Sequence, residues 1–136
     1  MNEVQYVILA QHNQVQRNLL KSVFERSGLS TIATESGTHA LKMIEKHGIK
    51  TVIIVDHLED MPFQELTGMI TSDNNKAIVL VCSSEFDKVE QEECKKAGAF
   101  AYMELKLDKN PLIRLVKKAL EVSNEKEPKS QLKTKN

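Results

Sequence analysis

The sequence has no tryptophan, only two tyrosines and four phenylalanines, and no cluster of Lys or Arg interleaved with them. Its 19 basic residues are balanced by 19 acidic ones. A chain without net charge has no general field to draw it to nucleic acid or an anionic membrane. Its interspersed Lys and Glu read as solvated helix faces. Cysteine is equally scarce. Cys82 and Cys94 make no CxxC pair and lack imidazoles at ligand spacing, which leaves a structural zinc site unsupported. Cys82 follows the apolar run at 77–81 and reads as a buried, reduced thiol. No apolar run approaches the roughly 18 residues of a membrane span, and no basic segment leads into one. These absences point to a cytoplasmic protein with no membrane partner and no nucleic-acid partner.

Four β-rich runs, three of them strongly apolar, are each followed by a helical pattern. Residues 6–10 form the first run; Val15, Leu19, Leu20, Val23 and Phe24 then recur at spacings of three and four, the stripe of an amphipathic helix. Gly28 stands where that helix needs a left-handed cap. Residues 30–34 alternate polar and apolar as in an edge strand. A helix carrying Ala40, Leu41 and Ile44 follows and ends near Gly48. Residues 51–55 are β-branched throughout, which suits a central strand buried on both faces. After Pro62 a helix is expected over about 63–70, with a turn at Asp73-Asn74-Asn75. A strand at 77–81, a polar helix from Asp87 to Lys96 and a weaker strand at 100–103 come next. Asn110 caps a last helix with Pro111 in its first turn. Five strands alternating with five helices require parallel pairing through right-handed crossovers and a sheet covered on both faces. Residues 123–136 hold one large aliphatic, Leu132, and no aromatic, and are expected to form a disordered polar tail beyond one domain at 1–122.

In such sheets function sits at the carboxyl ends of the strands. Gln11, His12 and Asn13 follow the first strand, Asp56 and His57 the third, Cys82, Ser83 and Ser84 the fourth, and Glu104, Leu105 and Lys106 the fifth. An Asp directly after a buried β-branched strand, beside strand-end hydroxyls and an imidazole, marks a candidate site, although a solvated strand-end carboxylate explains it too. His57, adjacent to Asp56 on an extended segment, points the other way and reads as a loop residue.

The order of elements, the run Val52-Ile53-Ile54-Val55-Asp56, and Ala97-Gly98-Ala99 followed by Tyr102 resemble a response-regulator receiver domain over residues 4–122. The resemblance implies a three-layer, flavodoxin-like (βα)5 fold with a five-stranded parallel sheet in the order 2-1-3-4-5. It implies that Asp56 accepts a phosphoryl group from a histidine kinase. Ser83, one residue uncertain by counting, would be the hydroxyl that senses it, and Tyr102 the aromatic that swings inward. Other positions depart from the family pattern. Gln11 and His12 stand where two acidic residues hold magnesium, a hard cation that wants anionic oxygens. Leu105 stands at the family's lysine after strand five and Lys106 at the proline after it, and Met61-Pro62 falls two residues late, with Gln64 in place of glycine.

A site without its metal carboxylates and lysine is expected to be a poor phosphoryl acceptor, because magnesium clamps the charge of the transferring group. His12 near Asp56 would pair with it and close the pocket without metal. The reading that follows is a pseudo-receiver: a non-enzymatic signalling module with no cofactor that acts by protein–protein contact. Its partner, a histidine kinase, a downstream effector or a second copy of the chain, would dock on helix four, strand five and helix five. Two alternatives stay open. One is a working receiver phosphorylated on Asp56, with magnesium bound by an atypical pocket. The other is a small cofactor-binding domain, against which stands the lack of a glycine-rich loop after the first strand.

Overall fold

In the computed structural model, which describes residues 5–73 and 77–125, strand and helix alternate five times along the chain. The order is β1 (Tyr6–Ala10), α1 (Gln14–Arg26), β2 (Ser30–Thr34), α2 (Gly37–His47), β3 (Thr51–Val55), α3 (Phe63–Asp73), β4 (Ile78–Ser83), α4 (Lys88–Lys96), β5 (Ala101–Glu104) and α5 (Asn110–Glu125). The strands form one parallel sheet, β2-β1-β3-β4-β5, as expected. Residues 30–34 are indeed an edge, and β3 lies at the centre with all five residues buried.

The period-two geometry of a strand sends alternate side chains to opposite faces, and two separate cores result. On one face Ile8, Val52, Ile54, Val79 and Val81 pack with Ala40 and Ile44 of α2, Phe63, Leu66 and Ile70 of α3, and Cys94 of α4. On the other, Val7, Leu9, Ile53, Val55, Leu80 and Cys82 pack with Leu20 and Phe24 of α1 and with Leu112, Val116 and Ala119 of α5. Both cysteines are free and buried. Burial pushes the Cys82 thiol up to about 12, with the charge of Asp56 adding to it, and burial pushes Cys94 up to about 11.

Several boundaries differ from expectation, each for a visible reason. α3 continues to Asp73, and in its last turns the Thr71 and Ser72 hydroxyls are accommodated by bonding back to the carbonyls of Thr67 and Gly68, at 3.0 and 2.6 Å. Asp73 therefore belongs to the helix, while Asn74 and Asn75 of the expected turn lie outside the described residues. β4 begins at Ile78 and outlasts its apolar run by two residues, since Cys82 and Ser83 still pair with Met103 and Glu104 of β5. Phe100 precedes β5, yet its N–H reaches Val79 O at 2.8 Å. α5 runs to Glu125, past the expected start of the tail, because Ser123 continues the inward stripe of Val116 and Ala119 and is buried. Residues 126–136 of the expected tail lie outside the described residues. Among the described residues no helix is long and apolar enough to cross a membrane.

Candidate functional site

The carboxyl ends of β1, β3, β4 and β5 lie together because the strands run parallel and in register. Asp56, the first residue past β3, has φ 62° and is the one non-glycine residue with positive φ among those described. That conformation is costly for most side chains and tolerated best by Asn and Asp. It is held by a bond from Asp56 N–H to Cys82 O of 2.8 Å and by Ser84. Ser84 N–H donates to Oδ1 and Ser84 Oγ donates to Oδ2, both at 2.6 Å. Asp56→Asn keeps the left-handed tolerance and one acceptor, so its stability should fall by no more than about 1 kcal/mol. A urea titration beside wild type checks this, and the same variant serves as a folded control below.

Ser84, then, and not Ser83, is the hydroxyl that meets Asp56. Ser83 is still in β4 and buried, its Oγ donating to Glu85 O at 2.6 Å. The Ser83-Ser84 doublet and the one-residue uncertainty of counting were the only sequence signal for this.

Gln11 is fully buried, and both ends of its amide are engaged. Oε1 accepts from Asn13 N–H at 2.9 Å and Nε2 donates to Gln16 Oε1 at 2.6 Å. Arg17 closes the same corner by donating to the carbonyls of Gln11 and His12 at 2.9 and 3.2 Å. His12 is exposed, and no hydrogen bond or ion pair joins it to Asp56 among the described residues. The expected His12–Asp56 pair does not form; Ser84 takes that place. Leu105 donates its N–H to Ser83 O at 2.8 Å, and Lys106 is exposed. A different cation, Lys109, folds back onto the carbonyls of Lys106 and Leu107. Its charge lowers the Cys82 thiol while Asp56 raises it.

At the two positions where the resemblance expects magnesium carboxylates stand an amide with both ends engaged and an outward imidazole, and both Asp56 oxygens accept from Ser84. Among the described residues no three His, Cys, Asp or Glu side chains come together as a ligand set.

The loop from β3 to α3 is tied down at both ends. Near its C-terminal end, Asp60 accepts Gly37 N–H, Thr38 N–H and Thr38 Oγ, each at 2.9 Å, and so caps α2 from another part of the chain. Burial would raise its carboxyl, but these bonds outweigh it and hold the group below its ordinary value. A Cβ on Gly37 would lie 2.8 Å from Met61 Sδ, so a larger residue there would require the Met61 side chain to move. At the loop's other end, His57 stacks on Phe63 with ring centroids 4.0 Å apart. Its Nδ1 accepts Phe63 N–H at 3.3 Å, which leaves Nε2 as the donor to Glu90 of α4 at 2.9 Å. The second oxygen of Glu90 faces Tyr102 Oη at 3.4 Å, and that hydroxyl also accepts Asp87 N–H at 3.1 Å. Tyr102 sits edge-on to Phe63 and Phe86 at 6.0 and 5.4 Å. Burial, aided by the charge of Glu90, raises its phenol against the lowering bonds from Asp87 N–H and the Ser83 hydroxyl.

The profile of the response regulator receiver domain matches residues 7–117. The chain belongs to that family. Among curated receivers it is 24% identical over 116 residues to the polar-differentiation response regulator DivK of Brucella ovis, covering 84% of this chain and 94% of that one. The CheY-like receiver domain protein of Methanospirillum hungatei superposes with a TM-score of 0.84 at 15% identity, over 92% of this chain and all of the other. The response regulator TrrA of Thermotoga maritima, in complex with magnesium and beryllofluoride, gives 0.77 at 19% identity over 85% and 98%. As a receiver of two-component signalling, the chain carries the family's fold.

Proposed function

We propose that this receiver signals by binding a protein partner and does not run a magnesium-dependent phosphorylation cycle. One observation carries the reading: Asp56 is held on both oxygens by Ser84, while the positions that would bring a metal to it carry Gln11 and His12. Charge on a transferring phosphoryl group then lacks its main electrostatic clamp. Signal would come from a population of conformers biased by the partner. The surface offered lies along α4 and β5, where Phe86, Val89 and Phe100 are exposed beside Tyr102. A histidine kinase, a downstream effector or a second copy of the chain is the class of partner expected there.

Magnesium and beryllofluoride are added to wild type and to Asp56→Asn, and amide shifts near Asp56, Ser84 and Tyr102 are followed by NMR. The expected result is no Asp56-dependent change at roughly millimolar magnesium, a concentration at which weak cation sites fill. Magnesium-dependent shifts confined to wild type would overturn the proposal. They would favour the second reading, a receiver phosphorylated on Asp56.

A further inference from the structure

The residue after Asp56 is joined to Tyr102 by a path that bypasses Ser83. His57 Nε2–H donates to one oxygen of Glu90 at 2.9 Å, and Tyr102 Oη approaches the other at 3.4 Å. Each piece is fixed. His57 is oriented by its stack on Phe63 and by Phe63 N–H on Nδ1. Glu90 stands in the first turn of α4, where a carboxylate is favoured by the helix dipole, and its own N–H is capped by Asp87 Oδ1 at 2.9 Å. Tyr102 is bracketed by Phe63 and Phe86. Ser83 donates its hydroxyl to Glu85 O at 2.6 Å and also lies beside the Tyr102 phenol, so the Glu90 path is a second link and not the sole one.

We propose that His57 is a positioning residue that couples the Asp56 loop to Tyr102 through Glu90, so that movement at Asp56 reaches the α4–β5 face along this bridge. The proposal rests on reading Asp56 and Tyr102 as two ends of one site. A carboxylate with two oxygens can hold two donors on different elements at once, here the β3–α3 loop and β5, and releasing one loosens the other. Loss of the His57 donor frees Glu90 to turn toward solvent, and Tyr102 then loses its carboxylate partner and keeps the Asp87 N–H and the Ser83 hydroxyl beside its oxygen.

The absence of tryptophan makes the test direct. In a Tyr6→Phe background, changed at an exposed position, Tyr102 is the sole tyrosine emitter. Acrylamide quenching then reads its exposure, and the Asp87 amide shift reads its hydroxyl contact. Both are measured without magnesium or a phosphoryl mimic, so the result stands or falls apart from the phosphorylation reading. His57→Ala should raise the outward population of Tyr102 roughly fivefold, the change expected from one lost hydrogen bond. Glu90→Ala should do the same, and the double variant should add nothing, as members of one chain of bonds are not additive. His57→Gln, which places an amide N–H where Nε2–H stood, should restore both readouts. Wild-type quenching in His57→Ala, additive effects in the double variant, or a Gln variant that behaves like Ala would each overturn the proposal.

Discussion

Phe63→Ala should cost about 3–5 kcal/mol, the usual range for truncating a buried phenylalanine, against a total stability of only about 5–15 kcal/mol for a domain. Phe63 is fully buried at the start of α3 and joins the core shared by α2, α3 and α4. It does more than fill space. His57 stacks on one side of its ring and Tyr102 meets it edge-on, so truncation removes the support of both. The urea midpoint should fall with little change in slope, because the surface exposed on unfolding is nearly the same. Phe63→Leu should recover a large part of the loss by refilling the cavity without restoring the aromatic contacts. Equal destabilisation by Ala and Leu would mean that the ring contacts, and not the volume, dominate.

Asp60→Ala should be the next most damaging change, at about 1–2 kcal/mol, as for loss of a strong helix N-cap. It leaves the N–H groups of Gly37 and Thr38 without their acceptor and releases the C-terminal end of the β3–α3 loop from α2. The effect should also depend on pH. The Asp60 carboxyl is held below its ordinary value in the folded state, so the folded protein binds its proton less readily than the unfolded chain. Its contribution is then complete above the ordinary Asp value of about 3.9 and is lost as pH falls through the lower folded value. Wild type and Asp60→Ala should therefore converge in stability on acidification, which urea titrations at neutral and acid pH would show. A gap that stays constant down to the acid limit would mean that the carboxylate's charge contributes nothing.

Much of the architecture was legible because it rests on local pattern. The β-branched run at 51–55 told its burial on both faces, the alternation at 30–34 told an edge, and the strand–helix alternation told the parallel sheet. Helix ends where hydroxyls fold back onto the helix or a serine is buried were not, since Thr71, Ser72 and Ser123 look like turn or tail residues in one dimension. At the site, the position of Asp56 was readable, but its partner was decided by where β4 stops pairing, a matter of one residue. Asp60 on Gly37 and His57 on Glu90 join residues 23 and 33 positions apart. No spacing rule covers such links, because the longer β3–α3 loop that makes them has no helical or strand period. His12 shows the converse, a suggestive side chain that the turn after β1 leaves facing water.

The two cores divide the cysteines between them, Cys94 on the α2–α3–α4 side and Cys82 on the α1–α5 side. With the sheet between them they cannot join in a disulfide while the fold is intact, and burial keeps both thiols protonated and unreactive. Each is therefore a timer for its own layer. A thiol-reactive label added to the native protein marks Cys94 when one side opens and Cys82 when the other does, and a partner that clamps only one layer would slow only one of the two clocks.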